Sequence, residues 1–176
     1  MHKKSLVYII GFMGSGKSTA GKKLAASLGW KFIDLDKEIE ETYGKTIPEI
    51  FASEGEQKFR ELESLALERL QGKTETVIST GGGTPCHGDN LKVMKATGIT
   101  VYLKMTPEQL EKRLLGSTGE RPLLKDIPDE KLASFIASRL AEREKWYDQA
   151  QVVVEGINMD INSLTAIIRL ESGTFA

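Results

Sequence analysis

Residues 11–19 read GFMGSGKST. The apolar run LVYII (6–10) precedes them. Lys17 to Leu28 follows as a helix, with Ala20, Leu24, Ala25 and Leu28 on one stripe and Gly29 as its stop. Strand, Gly-rich turn and helix in that order, with Gly11, Gly16, Lys17 and Ser18 spaced as G-x-x-x-x-G-K-S/T, make a phosphate-binding loop. Glycines let consecutive backbone N–H groups turn toward phosphate oxygens, and the helix start presents its positive end to the same anion. Gly14, Ser15, Gly16, Lys17, Ser18 and Thr19 are therefore expected to bind the phosphates of a nucleotide. Lys17 reaches the β- and γ-phosphates, and Ser18 offers an oxygen to Mg²⁺. The loop points to a nucleotide without choosing a reaction.

Working outward, short apolar runs alternate with helical patterns. KFIDLD (31–36), TVIST (76–80), ITVYLKM (99–105) and the VVV of QVVVEG read as further strands. Residues 37–71 read as helix broken near Gly44 and Gly55, with Thr46 as an N-cap ahead of Pro48. Further helices are expected over roughly 89–97, from the capping box at Thr106 and Gln109, over 129–148 and over 161–171. Strand–helix alternation implies an α/β fold, a parallel sheet with helices on both faces. Ligands of such sheets bind beyond the carboxyl ends of the strands, so the residues just after each strand carry the information.

Composition narrows the function classes. The chain has 176 residues, 40% hydrophobic and 28% charged, and reads as one domain over 1–176. A net charge of −1 gives no bulk field for nucleic acid or an anionic membrane. The N-terminal MHKKSLVYIIGF is too short in its apolar part for a signal peptide, and no run approaches the roughly 20 apolar residues that span a bilayer. Cys86 is the only cysteine, so no intrachain disulfide forms. It reads as a small, partly buried side chain in a reducing, cytoplasmic protein. A monomer is expected.

A GTP switch would carry an N/T-K-x-D stretch after a later strand, and none is present. A small kinase instead needs an acceptor pocket beside the γ-phosphate and a lid that excludes water, the competing acceptor. GSTGERPLLKDI (116–127) has the composition and position of a lid, and Arg121 within it could balance charge on the transferring group. Asp34 and Asp36, in FIDLD (32–36), fall two apart. On a strand they would share a face about 6.6 Å apart, from roughly 3.3 Å per residue. One could serve a metal and the other an acceptor hydroxyl; equally, both could be helix-capping acids. Gly81, Gly82 and Gly83 suggest an unusual turn or a ligand lying against bare backbone. Arg60 and Arg143 could clamp a carboxylate bidentately, or form surface pairs with helix neighbours such as Glu56.

GSGKST, FIDLD, GEQKFRELE (55–63), the GGG after the third strand, ERPLL (120–124) and R-x-x-x-Y from Arg143 to Tyr147 stand in the order found in shikimate kinases. Over roughly residues 5–150 the chain resembles that family. The resemblance implies transfer of the ATP γ-phosphoryl group to the 3-hydroxyl of shikimate, in aromatic amino-acid biosynthesis. It implies a P-loop kinase fold, a three-layer sandwich whose five-stranded parallel sheet has the order 2-3-1-4-5. A lid over about 112–127 and a shikimate-binding helical segment over about 37–62 go with that fold. By the same resemblance Asp36 binds the shikimate hydroxyls and is the base, while Lys17 and Arg121 act on the phosphates. Arg60 and Arg143 hold the carboxylate, with the backbone of Gly81, Gly82 and Gly83 beside it. Asp34 supports Mg²⁺ next to Ser18, and Arg113 lies against adenine. The stretch TPCHGDN (84–90) departs from the pattern and leaves Pro85, Cys86 and His87 without a role. Arg139 competes with Arg143 for the clamp, and the offset to Tyr147 favours Arg143.

Two rival readings stand beside this one. Another small-molecule kinase of the fold, such as a gluconate kinase, would also take an acidic acceptor. A non-catalytic nucleotide-binding module would not need Lys17, Ser18, Asp34, Asp36 and Arg121 together.

Overall fold

Alternate residues of the first strand enter two different cores, and that alternation sets the layers. The structure, a computed structural model, describes residues 5–116, 124 and 126–173. Five strands, β1 (Leu6–Ile10), β2 (Lys31–Asp34), β3 (Thr76–Ser79), β4 (Ile99–Lys104) and β5 (Val152–Glu155), form one parallel sheet in the order β2-β3-β1-β4-β5. The central strand β1 is buried throughout, whereas the edge strands β2 and β5 are partly exposed. Full burial of a parallel strand requires cover on both faces.

That cover comes from α1 (Lys17–Leu28), α2 (Leu35–Tyr43), α3 (Ile47–Leu70), α4 (Asn90–Thr97), α5 (Pro107–Leu115), α6 (Asp129–Tyr147) and α7 (Ile161–Ser172). Leu6, Tyr8 and Ile10 face one way, packing with Ile78, Tyr102 and the apolar stripes of α2 through α6. Val7 and Ile9 face the other way, packing with Val77, Val101, Leu24 of α1 and Leu164 and Ile168 of α7. The result is the three-layer sandwich expected from the alternation, with the strand order that the resemblance implied. No helix among the described residues is long and apolar enough to cross a membrane.

Local signals fix the helix ends. Thr46 and Glu49 form a capping box, as do Thr106 and Gln109, each with proline in the first turn. Gly29 and Gly44 close α1 and α2 in the left-handed region. Gly55 (φ 82°, ψ 173°) interrupts α3, so the segment holding Arg60 begins a fresh helical run.

FIDLD behaves differently from the strand it was expected to complete. β2 stops at Asp34, and Leu35 already belongs to α2. Asp34 Oδ1 accepts from the backbone N–H of Asp36 (3.2 Å) and Lys37 (3.4 Å) and so caps that helix. Asp36 therefore sits in the first turn of a helix, and the same-face argument from strand spacing does not apply. Of the lid expected over 112–127, residues 117–123 and 125, Arg121 included, lie outside the described residues.

Candidate active site

The carboxyl ends of β1, β2 and β3 open on a cleft of about 420 Å³. The phosphate loop forms one wall, with Gly14, Gly16, Lys17, Ser18 and Thr19 at its surface. Gly16 adopts φ 89°, a left-handed turn that starts α1 and that a side chain would strain. The Ser15 amide closes the loop on the Phe12 carbonyl (3.2 Å), and Lys17 Nζ donates to that same oxygen (2.9 Å). Lys17 is thus buried at the base of the loop. The Arg113 guanidinium lies across the loop, 3.0 Å from where a Cβ on Gly16 would stand.

Ser18 and Asp34 meet directly. Ser18 Oγ donates to Asp34 Oδ2 at 2.6 Å and lies 3.2 Å from Ser79 Oγ at the end of β3. The two oxygens of Asp34 thus have separate work, Oδ1 capping α2 and Oδ2 facing the loop. Helix cap and metal ligand are compatible rather than alternative. A hydroxyl and one carboxylate, both hard oxygen donors, suit Mg²⁺, which keeps several waters and takes its remaining ligands from phosphates. The described residues contain no cluster of three or more His, Cys, Asp or Glu side chains able to hold a metal.

Asp36 lines the same cleft. Its Oδ1 is buried and has no hydrogen-bond partner among the described residues. Burial first, then the charges of Glu63 and Asp34, push its carboxyl up to about 6, against the pull of Lys17. A carboxylate in that setting is poised to accept a proton near neutral pH.

The three glycines are packed by charged and polar side chains. A Cβ on Gly83 would stand 2.5 Å from the Arg60 guanidinium. On Gly82 it would stand 3.1 Å from the Met13 amide and 3.5 Å from Arg143 Nη1. On Gly81 it would meet Glu63 Oε1 at 2.6 Å, Thr84 Oγ1 at 2.9 Å and Asp36 Oδ1 at 3.4 Å. Close approach, not backbone angle, requires glycine here, because none of the three has a left-handed φ. The segment is a turn, closed by the Thr84 amide on the Gly81 carbonyl, and this chain's own arginines and acids lie against its bare backbone.

Arg60 is only 6% exposed. Its Nη1 donates to Glu63 Oε2 (2.8 Å), and its Nε and Nη2 donate to Glu56 Oε1 (3.3 and 2.9 Å). The pair with Glu56 exists as expected, yet it belongs to a buried cluster rather than a solvated helix face. Three of the five guanidinium N–H groups are thereby engaged with described residues. Glu63 is fully buried; burial pushes its carboxyl up, while Arg60 and Thr84 pull it down. Arg143 stacks over Phe12 (5.5 Å), and its buried Nη1 has no hydrogen-bond partner among the described residues. Arg139 is the more exposed of the two, its side chain 51% exposed and paired with Glu142, with its charge felt by Glu56. Tyr147 OH donates to the Gly82 carbonyl at 2.5 Å, locking α6 to the glycine loop.

TPCHGDN finds its place in the same wall. Thr84–Cys86 make a 3-10 turn with Thr84 and Pro85 buried. Burial pushes the Cys86 thiol up to about 11, which keeps it protonated and inert at neutral pH. Burial and the nearby Arg60 charge push His87 below its usual range. Sequence reasoning brought together Lys17, Ser18, Asp34, Asp36, Arg60, Arg143 and the glycines. It missed Glu63, Ser79 and Thr84. Glu63 stands three residues after Arg60, a spacing that pairs charges on a helix, and that was the available signal.

Known proteins resemble both the sequence and this arrangement. A family profile described as shikimate kinase matches residues 13–169. A shikimate kinase of Azobacteroides pseudotrichonymphae is 46% identical over 159 residues, which is 90% of this chain and 94% of that one. The crystal structure of shikimate kinase from Bacteroides thetaiotaomicron superposes with a TM-score of 0.85 at 39% identity, covering 94% of this chain and 97% of that one. Shikimate kinase from Acinetobacter baumannii, solved in complex with shikimate, gives a TM-score of 0.83 at 34% identity over 98% and 96% of the two chains. A match of that extent in sequence and in backbone places this chain in the shikimate kinase family.

Proposed function

We propose that the protein transfers the γ-phosphoryl group of ATP to the 3-hydroxyl of shikimate, giving shikimate 3-phosphate and ADP, and that the cleft beneath the glycine loop is where it does so. One observation carries the placement. Asp36 Oδ1 and Arg143 Nη1, an acceptor and a charged donor, are both buried beside the glycine loop with no hydrogen-bond partner among the described residues. Leaving such groups unpaired costs about 1–3 kcal/mol each, and more for a charge. A ligand bearing hydroxyls and a carboxylate removes both costs.

In this reading the amides and the α1 N-terminus hold the ATP phosphates, and Lys17 neutralises their charge from the base of the loop. Arg113, whose guanidinium lies over Gly16, is assigned to adenine. Ser18 and Asp34 would hold Mg²⁺, which when bound supplies charge neutralisation to the phosphates. Arg60 and Arg143 take the acceptor carboxylate, and the backbone of Gly81, Gly82 and Gly83 lets the ring approach. Asp36 orients the 3-hydroxyl and takes its proton as the phosphoryl group arrives in line. Arg121 is assigned to the phosphates from the lid. Phosphoryl transfer passes through a loose transition state, so positioning carries more of the rate than the base does.

The test is ADP release with shikimate, with gluconate and with no acceptor. Release that depends on shikimate alone supports the reading. Equal release with gluconate would make the chain a different small-molecule kinase, and no acceptor-dependent release would leave it a binding module.

A further inference from the structure

We propose that Thr84 is a positioning residue for acceptor binding, its hydroxyl fixing Glu63 so that Glu63 in turn aims Arg60 at the acceptor carboxylate. The inference rests on the reading of Arg60 as a carboxylate clamp.

The argument begins with the division of labour on Glu63. Its Oε2 takes Arg60 Nη1 at 2.8 Å, and its Oε1 takes the Thr84 hydroxyl. Glu63 and Thr84 are both fully buried, so no water substitutes cheaply for either bond. Without Thr84, Oε1 would face Asp36 Oδ1, which shares the space over Gly81 with it. Two acid oxygens in one pocket repel, and the carboxylate that steadies Arg60 would turn away.

Thr84 can act as a fixed point because its backbone is held twice. Its amide donates to Gly81 O at 3.2 Å, closing the turn after the glycines. Its carbonyl accepts from Asn90 Nδ2 at 2.9 Å. Asn90 Oδ1 then accepts from Ser64 Oγ at 2.9 Å, and Ser64 follows Glu63 on α3. The chain of contacts thus returns to the helix it left: Glu63, Thr84, Asn90, Ser64. A closed ring of polar contacts, most of them buried, has one low-energy arrangement, and that arrangement sets the register of α3 against the glycine loop. Arg60, one turn earlier on α3, inherits its direction.

The experiment uses the full chain and measures KM for shikimate and for ATP in Thr84→Val, Thr84→Ser, Arg60→Ala and the Thr84→Val/Arg60→Ala pair. Thr84→Val should raise KM for shikimate about tenfold, the scale of one hydrogen bond to a charged group, with KM for ATP within about twofold of wild type. Thr84→Ser keeps the donor and should restore wild-type KM. Because Thr84 acts through Arg60, adding Thr84→Val to Arg60→Ala should change little. Should Thr84→Val fold poorly, Thr84→Ala removes the same hydroxyl and carries the same expectation. An unchanged KM for shikimate in both Thr84→Val and Thr84→Ala would overturn the proposal. So would equal rises for both substrates, failure of serine to rescue, or full additivity with Arg60→Ala. If Arg60→Ala itself left KM for shikimate at wild type, the clamp reading would fall, a different result from a neutral Thr84→Val beside an impaired Arg60→Ala.

Discussion

Ser18 and Asp34 are joined by a 2.6 Å hydrogen bond at the mouth of the phosphate loop, while the second oxygen of Asp34 caps α2. The two tasks can be separated by substitution. Asparagine still caps a helix but brings no charge to a cation. Asp34→Asn should raise the Mg²⁺ concentration for half-maximal activity about tenfold, an effect of roughly 1.4 kcal/mol on ion binding, with little change in melting temperature. Asp34→Ala should show the same Mg²⁺ effect and also lose about 1 kcal/mol of stability with the cap. Mg²⁺ titration of activity and thermal melting, run on both variants, check this.

Asp36 yields a prediction about pH. The carboxyl must be ionised to take the acceptor proton, and its surroundings push it up to about 6. The rate at low shikimate should therefore fall as pH drops through about 6, and Asp36→Asn should lose most turnover while ATP binding survives. Stability runs the opposite way. The folded value lies above the ordinary 3.8, so the folded chain holds this proton more tightly than the unfolded chain does. Stability from this group therefore falls as pH rises between those two values. Asp36→Asn should accordingly gain on the order of 1 kcal/mol at pH 7.5, and less at pH 4. Melting curves at the two pH values read this directly.

Gly83 tests the packing account of the glycine loop. Its φ of −88° is open to any residue, so alanine adds only a methyl, placed 2.5 Å from the Arg60 guanidinium. Gly83→Ala should displace Arg60 and raise KM for shikimate about tenfold or more, the overpacking being worth about 1–3 kcal/mol. KM for ATP should move far less. Steady-state kinetics in both substrates decide the matter.

The two arginines of α6 should behave oppositely. Arg143 is partly buried against Phe12 and the glycine loop, whereas Arg139 is exposed and pairs with Glu142. Arg143→Ala should raise KM for shikimate about a hundredfold, as expected when a hydrogen-bonded charge loses its partner at about 1.5–3 kcal/mol or somewhat more. Arg139→Ala should lie within about twofold of wild type, since exposed ion pairs contribute little. The same kinetics on the pair measure this.

These residues also show what a sequence can and cannot carry. The phosphate loop, α1, the N-cap at Thr46 and the capping box at Thr106 were legible because each is a local device, complete within a few residues. FIDLD misled because apolar alternation ran on past Asp34, while an Asx cap ended the strand there. Leu35, which alternation placed in a strand, is instead buried in the first turn of α2. Arg139 and Arg143 share a helix; the offset to Tyr147 favoured Arg143, and the packing of Arg143 against Phe12 and the glycine loop supplies the physical difference. Glu63 read as one more acid on a charged helix. Its importance comes from Thr84, 21 positions away in the chain, and a contact of that range leaves no local pattern. Strand order came from resemblance rather than periodicity, because alternation of strands and helices is compatible with several orders.

The central claim, that a phosphoryl group passes from ATP to the shikimate 3-hydroxyl in this cleft, is tested most directly by following the reaction with phosphorus NMR. Wild-type protein with ATP, Mg²⁺ and shikimate should lose the γ-phosphate signal and gain one phosphate monoester coupled to the ring proton at carbon 3, in step with ADP. Arg143→Ala at the same shikimate concentration should slow that conversion. Inorganic phosphate in place of the monoester, or ADP formed at the same rate without shikimate, would contradict the account.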